Sequence, residues 1–157
     1  MTSSFAFIHA HCCRPALLAF VVACAATAGC GSDDPGDLQY DVTIAVLGTT
    51  VALGALQFDV SYDGASGGWV GHQGDVECEA LVDALMAANY VGEGTVKIGL
   101  VSIEGIPAPG PVVRCGFRGP LEISTSSFVV QVVDASDTSS APVEPMPAMR
   151  VSSVVTR

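Results

Sequence analysis

The sequence predicts an all-β domain, an antiparallel β-sandwich with at most one short helix. Three observations point there. Apolar and polar residues alternate with period two in several short stretches. Clusters of Gly, Pro, Ser and Asp separate those stretches. The composition is rich in Val and Gly and poor in Lys, a bias that favours pleated structure over helix. A length of 157 residues suits one domain with a real core.

The elements follow in chain order. Residues 38–46 alternate around Tyr40, Val42, Ile44 and Val46, the pattern of a half-buried strand, and Gly48, Thr49 and Thr50 break the run. Residues 55–63 carry the cleanest alternation, with Leu56, Phe58, Val60 and Tyr62 on one side and Gln57, Asp59, Ser61 and Asp63 on the other. The cluster from Gly64 to Gly68 ends that strand as a turn or loop. Residues 95–103 form a further strand with Val96, Ile98 and Leu100 on one face. The prolines at 107, 109 and 111 make a loop that forbids helix. Strands follow at 112–117, at 128–133 before a polar stretch from Asp134, and at 149–155. One segment is ambiguous. Leu81, Val82, Leu85, Met86 and Tyr90 are spaced like one face of a helix, so a short helix or bent segment is expected there, with an irregular strand as the other possibility.

The first 29 residues read as an export signal. Arg14 precedes an apolar run from Pro15 to Gly29 that is too short to span a bilayer comfortably. Thr27, Ala28 and Gly29 before Cys30 resemble a bacterial lipobox. The resemblance implies that Cys30 carries a lipid and becomes the mature N-terminus; the other reading is ordinary secretion with a stray thiol. Residues 30–38 form a polar tether and residues 39–157 the domain. The expected place is therefore the bacterial cell envelope, on its periplasmic or cell-surface side, with membrane contact only through the lipid.

Cysteine usage agrees with export. Cys12, Cys13 and Cys24 fall within the signal, which leaves Cys78 and Cys115 as a disulfide pair in an oxidising compartment. Closing a loop of that length stabilises a fold by about 4 kcal/mol on the chain-entropy account. With His72 as the one nearby histidine, these cysteines supply too few ligands for zinc, so no metal and no cofactor is expected.

All 16 acidic residues follow Cys30, against five basic ones, a net charge of −11 for that portion. This opposes nucleic acid and anionic lipid headgroups. Catalysis is not expected. His72 is the sole histidine of the mature portion and sits between glycines, and no phosphate-binding motif occurs. Asp59 and Asp63 read as solvated strand charges, and Asp134 and Asp137 as a polar turn. The candidate binding surface comprises Trp69, the only tryptophan, and the polar row Gln57, Asp59, Ser61 and Asp63. Trp69 could anchor a ligand or fold back over the edge of the core.

Three stretches, 53–63, 96–102 and 128–137, resemble in order and spacing the cohesin-like domains of bacterial exported proteins. The likeness covers about Asp41 to Val155. It implies a jelly-roll sandwich related to carbohydrate-binding domains, and a protein partner of dockerin type held on one sheet face. Fewer residues separate the first two strands here than in that family, so one strand is expected to be shortened or missing. The expected function is a non-catalytic, lipid-anchored protein-interaction module. The alternatives are a carbohydrate-binding module with a polysaccharide partner, or a structural envelope domain.

Overall fold

The computed structural model describes residues 38–72 and 74–157. The expected signal segment, the lipidation site at Cys30 and nearly all of the tether lie outside the described residues. The described chain is built almost entirely of strands: β1 (Leu38–Gly48), β2 (Leu53–Tyr62), β3 (Gly68–Trp69), β4 (Gly71–His72), β5 (Asp75–Val76), β6 (Cys78–Ala80), β7 (Leu85–Gly92), β8 (Thr95–Ile106), β9 (Gly110–Gly119), β10 (Phe128–Asp137) and β11 (Ala148–Thr156). A single 3₁₀ turn, Thr125–Ser127, precedes β10.

The strands form two antiparallel sheets. The first runs β11-β1-β9-β3, with β6 also paired to β9; the second runs β10-β2-β8-β7-β5-β4. Only residues 49–52 join β1 to β2, and β1 pairs directly with β9.

Alternation places the core between the sheets. Val42, Ile44 and Phe117 of the first sheet and Phe58, Val60, Val96 and Ile98 of the second are fully buried. Leu56 and Leu100 join them, and Tyr62 packs against the cluster at its margin. The inward sets expected for β2 and β8 are thus the ones observed. The register explains why they coincide in space: Phe58 lies opposite Ile98, and Val60 opposite Val96. A one-residue slip would turn both rows to solvent, so burial itself holds the register.

Two expectations need correction. The segment 81–90 is not a helix; from Leu85 it is strand β7, paired residue for residue with β8. Its apolar spacing is helical only by coincidence. Met86 and Ala88 pack on the core, whereas Leu85 and Tyr90 are exposed. Pairing along β8 satisfies its backbone groups, which a helix beside β8 would leave bare. The turn into β8 adds to this. Gly92, Glu93 and Gly94 all have positive φ, and a Cβ on Gly94 would lie 2.9 Å from the Tyr62 carbonyl oxygen. The second correction concerns the polar stretch from Asp134. It continues β10 to Asp137 through a bulge after Val132, which keeps Ala135 in the core.

Cys78 and Cys115 are joined as a disulfide. They sit directly opposite each other on β6 and β9, so the bond fastens the short β6 to the first sheet.

Candidate functional site

The outward face of the second sheet can be read row by row from the register. Gln131, Asp59, Lys97 and Asn89 form one row across β10, β2, β8 and β7. Asp134, Gln57, Gly99 and Ala87 form the next, and Ser136, Ala55, Val101 and Leu85 the one beyond. The face is polar at one end and turns apolar at the other. Leu85 is 81% exposed, Val101 54% and Ile103, two residues further along β8, 96%. Between the two ends Gly99 and Ala87 keep the surface low, and the space above Gly99 is open.

Gln57, Asp59 and Ser61 sit on this face, half-buried between neighbouring strands. Ser61 Oγ lies 2.9 Å from Thr95 Oγ1. One carboxylate oxygen of Asp59, Oδ1, is buried without a hydrogen-bond partner. Asp63 leaves the row. It follows the end of β2, is exposed, and its backbone N–H donates to Ser127.

Trp69 lies elsewhere, on β3 at the edge of the first sheet. Its ring meets Phe117 edge-on at 5.2 Å between centroids and Phe128 at 5.7 Å, in a cluster that also holds Tyr62. Its indole N–H donates to the Gly94 carbonyl at 2.7 Å. The structure therefore does not bring Trp69 together with Gln57, Asp59 and Ser61. One face of Trp69 closes the end of the core and the rest lines a cleft of about 850 Å³ with Asp75, Glu77 and Arg118.

Leu85, Val101 and Ile103 are the surface residues that reading the alternation for its inward set passes over. A signal was present: after Val96, Ile98 and Leu100 claim the inward phase, Val101 and Ile103 are apolar in the outward one.

The outward face of the first sheet differs. Arg157 Nε lies 2.6 Å from Asp41 and its Nη1 2.9 Å from Glu77, while Arg114 pairs with Glu79 across β9 and β6. The hydrogen bond to Asp41, then that to Glu77, raises the Arg157 guanidinium further above its ordinary value.

At the end of β10, Asp137 Oδ1 accepts from Ser139 Oγ at 2.7 Å and from the backbone N–H groups of Ser139 and Ala141. Led by the Ser139 hydroxyl, these bonds hold the Asp137 carboxyl below the usual carboxylate value. Its acceptor capacity goes to closing a turn.

Among the described residues no group of three or more His, Cys, Asp or Glu is placed to hold a metal ion. Gly64 to Gly68 carries the Gly-Xaa-Ser-Xaa-Gly spacing of a hydrolase nucleophile elbow. Ser66, however, lies in an exposed loop between two strands, not at a strand-to-helix turn. No described helix is long and apolar enough to cross a membrane.

The sequence matches no protein-family profile and no curated protein. Two solved structures resemble the fold, and both are cohesin domains. One is a non-cellulosomal cohesin from the hyperthermophilic archaeon Archaeoglobus fulgidus, with a TM-score of 0.48 and 19% identity over 69% of this chain and 73% of that one. The other is the sixth cohesin of scaffoldin B from Acetivibrio cellulolyticus, solved in complex with a mutant Cel5 dockerin, with a TM-score of 0.48 and 16% identity over 68% of this chain and 81% of that one.

Proposed function

We propose that this chain is a non-catalytic protein-interaction module, exported and held at the bacterial envelope by lipid on Cys30, and that it docks a partner domain on the outward face of β10-β2-β8-β7. The observation that carries the reading is the exposed aliphatic group Leu85, Val101 and Ile103 beside the flat Gly99–Ala87 step. Aliphatic side chains exposed next to one another on a regular sheet are a recognised sign of an interaction surface.

The partner is a protein of dockerin type, presenting aliphatic side chains within a basic rim. An apolar contact serves the first feature. The second follows from charge, because Asp59 and Asp134 lie on the face, Lys97 is its one cation, and the mature portion carries −11. The disulfide supports export, since such bonds persist in oxidising compartments.

A panel of immobilised dockerin-type modules tests the docking claim. At least one should retain the protein, and Ile103→Asp should weaken that binding by about 30-fold or more, as loss of a central apolar anchor does. Retention by none, or retention that Ile103→Asp and Leu85→Asp leave intact, removes this reading. For the anchor, Cys30→Ser should release the protein from the membrane fraction; continued retention there counts against acylation.

A further inference from the structure

We infer that the cleft at the Trp69 end of the sandwich is a binding site for neutral, hydroxyl-rich glycans, separate from the docking face. Two adjoining clefts, of about 850 Å³ and 220 Å³, share Trp69, Gly68 and Asp75. The larger falls within the range of roughly 300–1,000 Å³ typical of small-ligand sites. Tyr90 lines the smaller one and is 48% exposed.

Both aromatic side chains are tied to the backbone of the same residue, Gly94. The Trp69 indole N–H donates to the Gly94 carbonyl, and the Gly94 N–H donates to the Tyr90 hydroxyl at 3.3 Å. Two rings 21 positions apart in sequence are thereby held beside one groove by a single turn. Rings with a negative π face suit the apolar C–H face of a sugar.

The polar groups around the rings complete the chemistry. Arg118 offers guanidinium N–H donors, and among the described residues no carboxylate lies within ion-pair distance of it. Asp75 and Glu77 on the same cleft offer acceptors. Donors and acceptors together match hydroxyl groups, which need both. Two carboxylates against one guanidinium, in a strongly acidic chain, disfavour uronic or sulfated sugars. Gly68 contributes a wall without a side chain: a Cβ there would meet nothing within 4 Å, so the cleft stays open at that point.

The chain supplies its own reporter, since Trp69 is its only tryptophan. Its emission is followed while cellohexaose, xylohexaose, mannohexaose, chitohexaose or hexagalacturonate is added. At least one neutral hexasaccharide should give a saturable change with Kd of about 1 mM or tighter. Gly68→Leu, which fills the cleft from a position with room for a side chain, should weaken that binding by about tenfold or more. Tyr90→Ala should do the same, while Ile103→Asp, on the docking face, should leave it unchanged. Far-ultraviolet circular dichroism on each variant establishes that it is folded. No saturable change with any neutral sugar up to about 10 mM, equal binding by folded Gly68→Leu, or a preference for hexagalacturonate would each overturn the inference.

Discussion

The two outward faces of the sandwich are built from the same kind of strand and treated oppositely. On the first sheet a cluster of charged groups finds partners within the chain, while Arg118 and Arg150 form no ion pair among the described residues. Arg157 joins β11 to Asp41 of β1 and to Glu77, and Arg114 joins β9 to Glu79, while the neighbouring disulfide packs inward, with Cys115 in the core. On the second sheet Lys97 lies opposite Asp59 in the register, yet no ion pair forms on that face among the described residues. The exposed aliphatic side chains there include Leu85, Val101 and Ile103, with Val129 of β10 further along the face. A face whose groups satisfy one another has little to offer a partner. A face with exposed aliphatics and unpaired charge does, and that difference is what favours the second sheet as the proposed docking surface.

The comparison predicts that substitutions on the first face cost stability and those on the second cost binding. The largest stability effect should come from the paired change Cys78→Ala with Cys115→Ala. It should lower unfolding free energy by about 4 kcal/mol in a denaturant titration while leaving partner retention intact in the protein that remains folded. Loss of retention in that folded protein would mean that the two faces are coupled. Next comes Arg157→Ala. Arg157 and Asp41 are about one-third exposed and Glu77 more than half, so the loss should be only about 1 kcal/mol, and should shrink further in high salt. Ile103→Asp should shift stability by less than about 0.5 kcal/mol despite its large effect on binding, because the side chain it replaces is 96% exposed. A drop in Tm comparable to that of the cysteine variant would show Ile103 to be a packing residue instead.

The smallest effect is one of pH. The Asp137 carboxyl is held below its ordinary value by bonds formed only in the folded turn. Its contribution is therefore fully present above the unfolded carboxylate value, about pH 4, and is lost as pH falls through the lower folded value. Amide exchange at Ser139 and Ala141 should accelerate over that acid range. Asp137→Asn should make their exchange insensitive to it.

Much of this was legible in the sequence because period-two burial is a local rule. Leu56, Phe58 and Val60 announce their side of β2 without reference to any other strand, and the same holds for Val96, Ile98 and Leu100. The segment 81–90 misleads for a physical reason. Leu85 is apolar where a solvent-facing strand residue would ordinarily be polar, and beside the inward-phase Met86 and Tyr90 it imitates a helix face. The polar candidates Gln57, Asp59 and Ser61 lie on the sheet face that holds the aliphatic group, but the group itself joins residues from β7 and β8 whose adjacency depends on register. Trp69 was visible as a single residue. Its folding back over the core edge was one of its two readings; its tie through Gly94 to Tyr90 was not legible.

By itself the sequence determined the fold class, the inward rows of β1, β2 and β8, the pairing of Cys78 with Cys115, and the sign of the surface charge. Each depends on residue type and near spacing alone. Only the tertiary structure decided that residues from Leu85 onward extend the second sheet, that Val101 and Leu85 meet across two strands, and that Trp69 and Tyr90 share a groove. Those outcomes depend on which strands become neighbours. That choice is made by backbone hydrogen bonds and core burial summed over the whole domain, and a local pattern does not contain it.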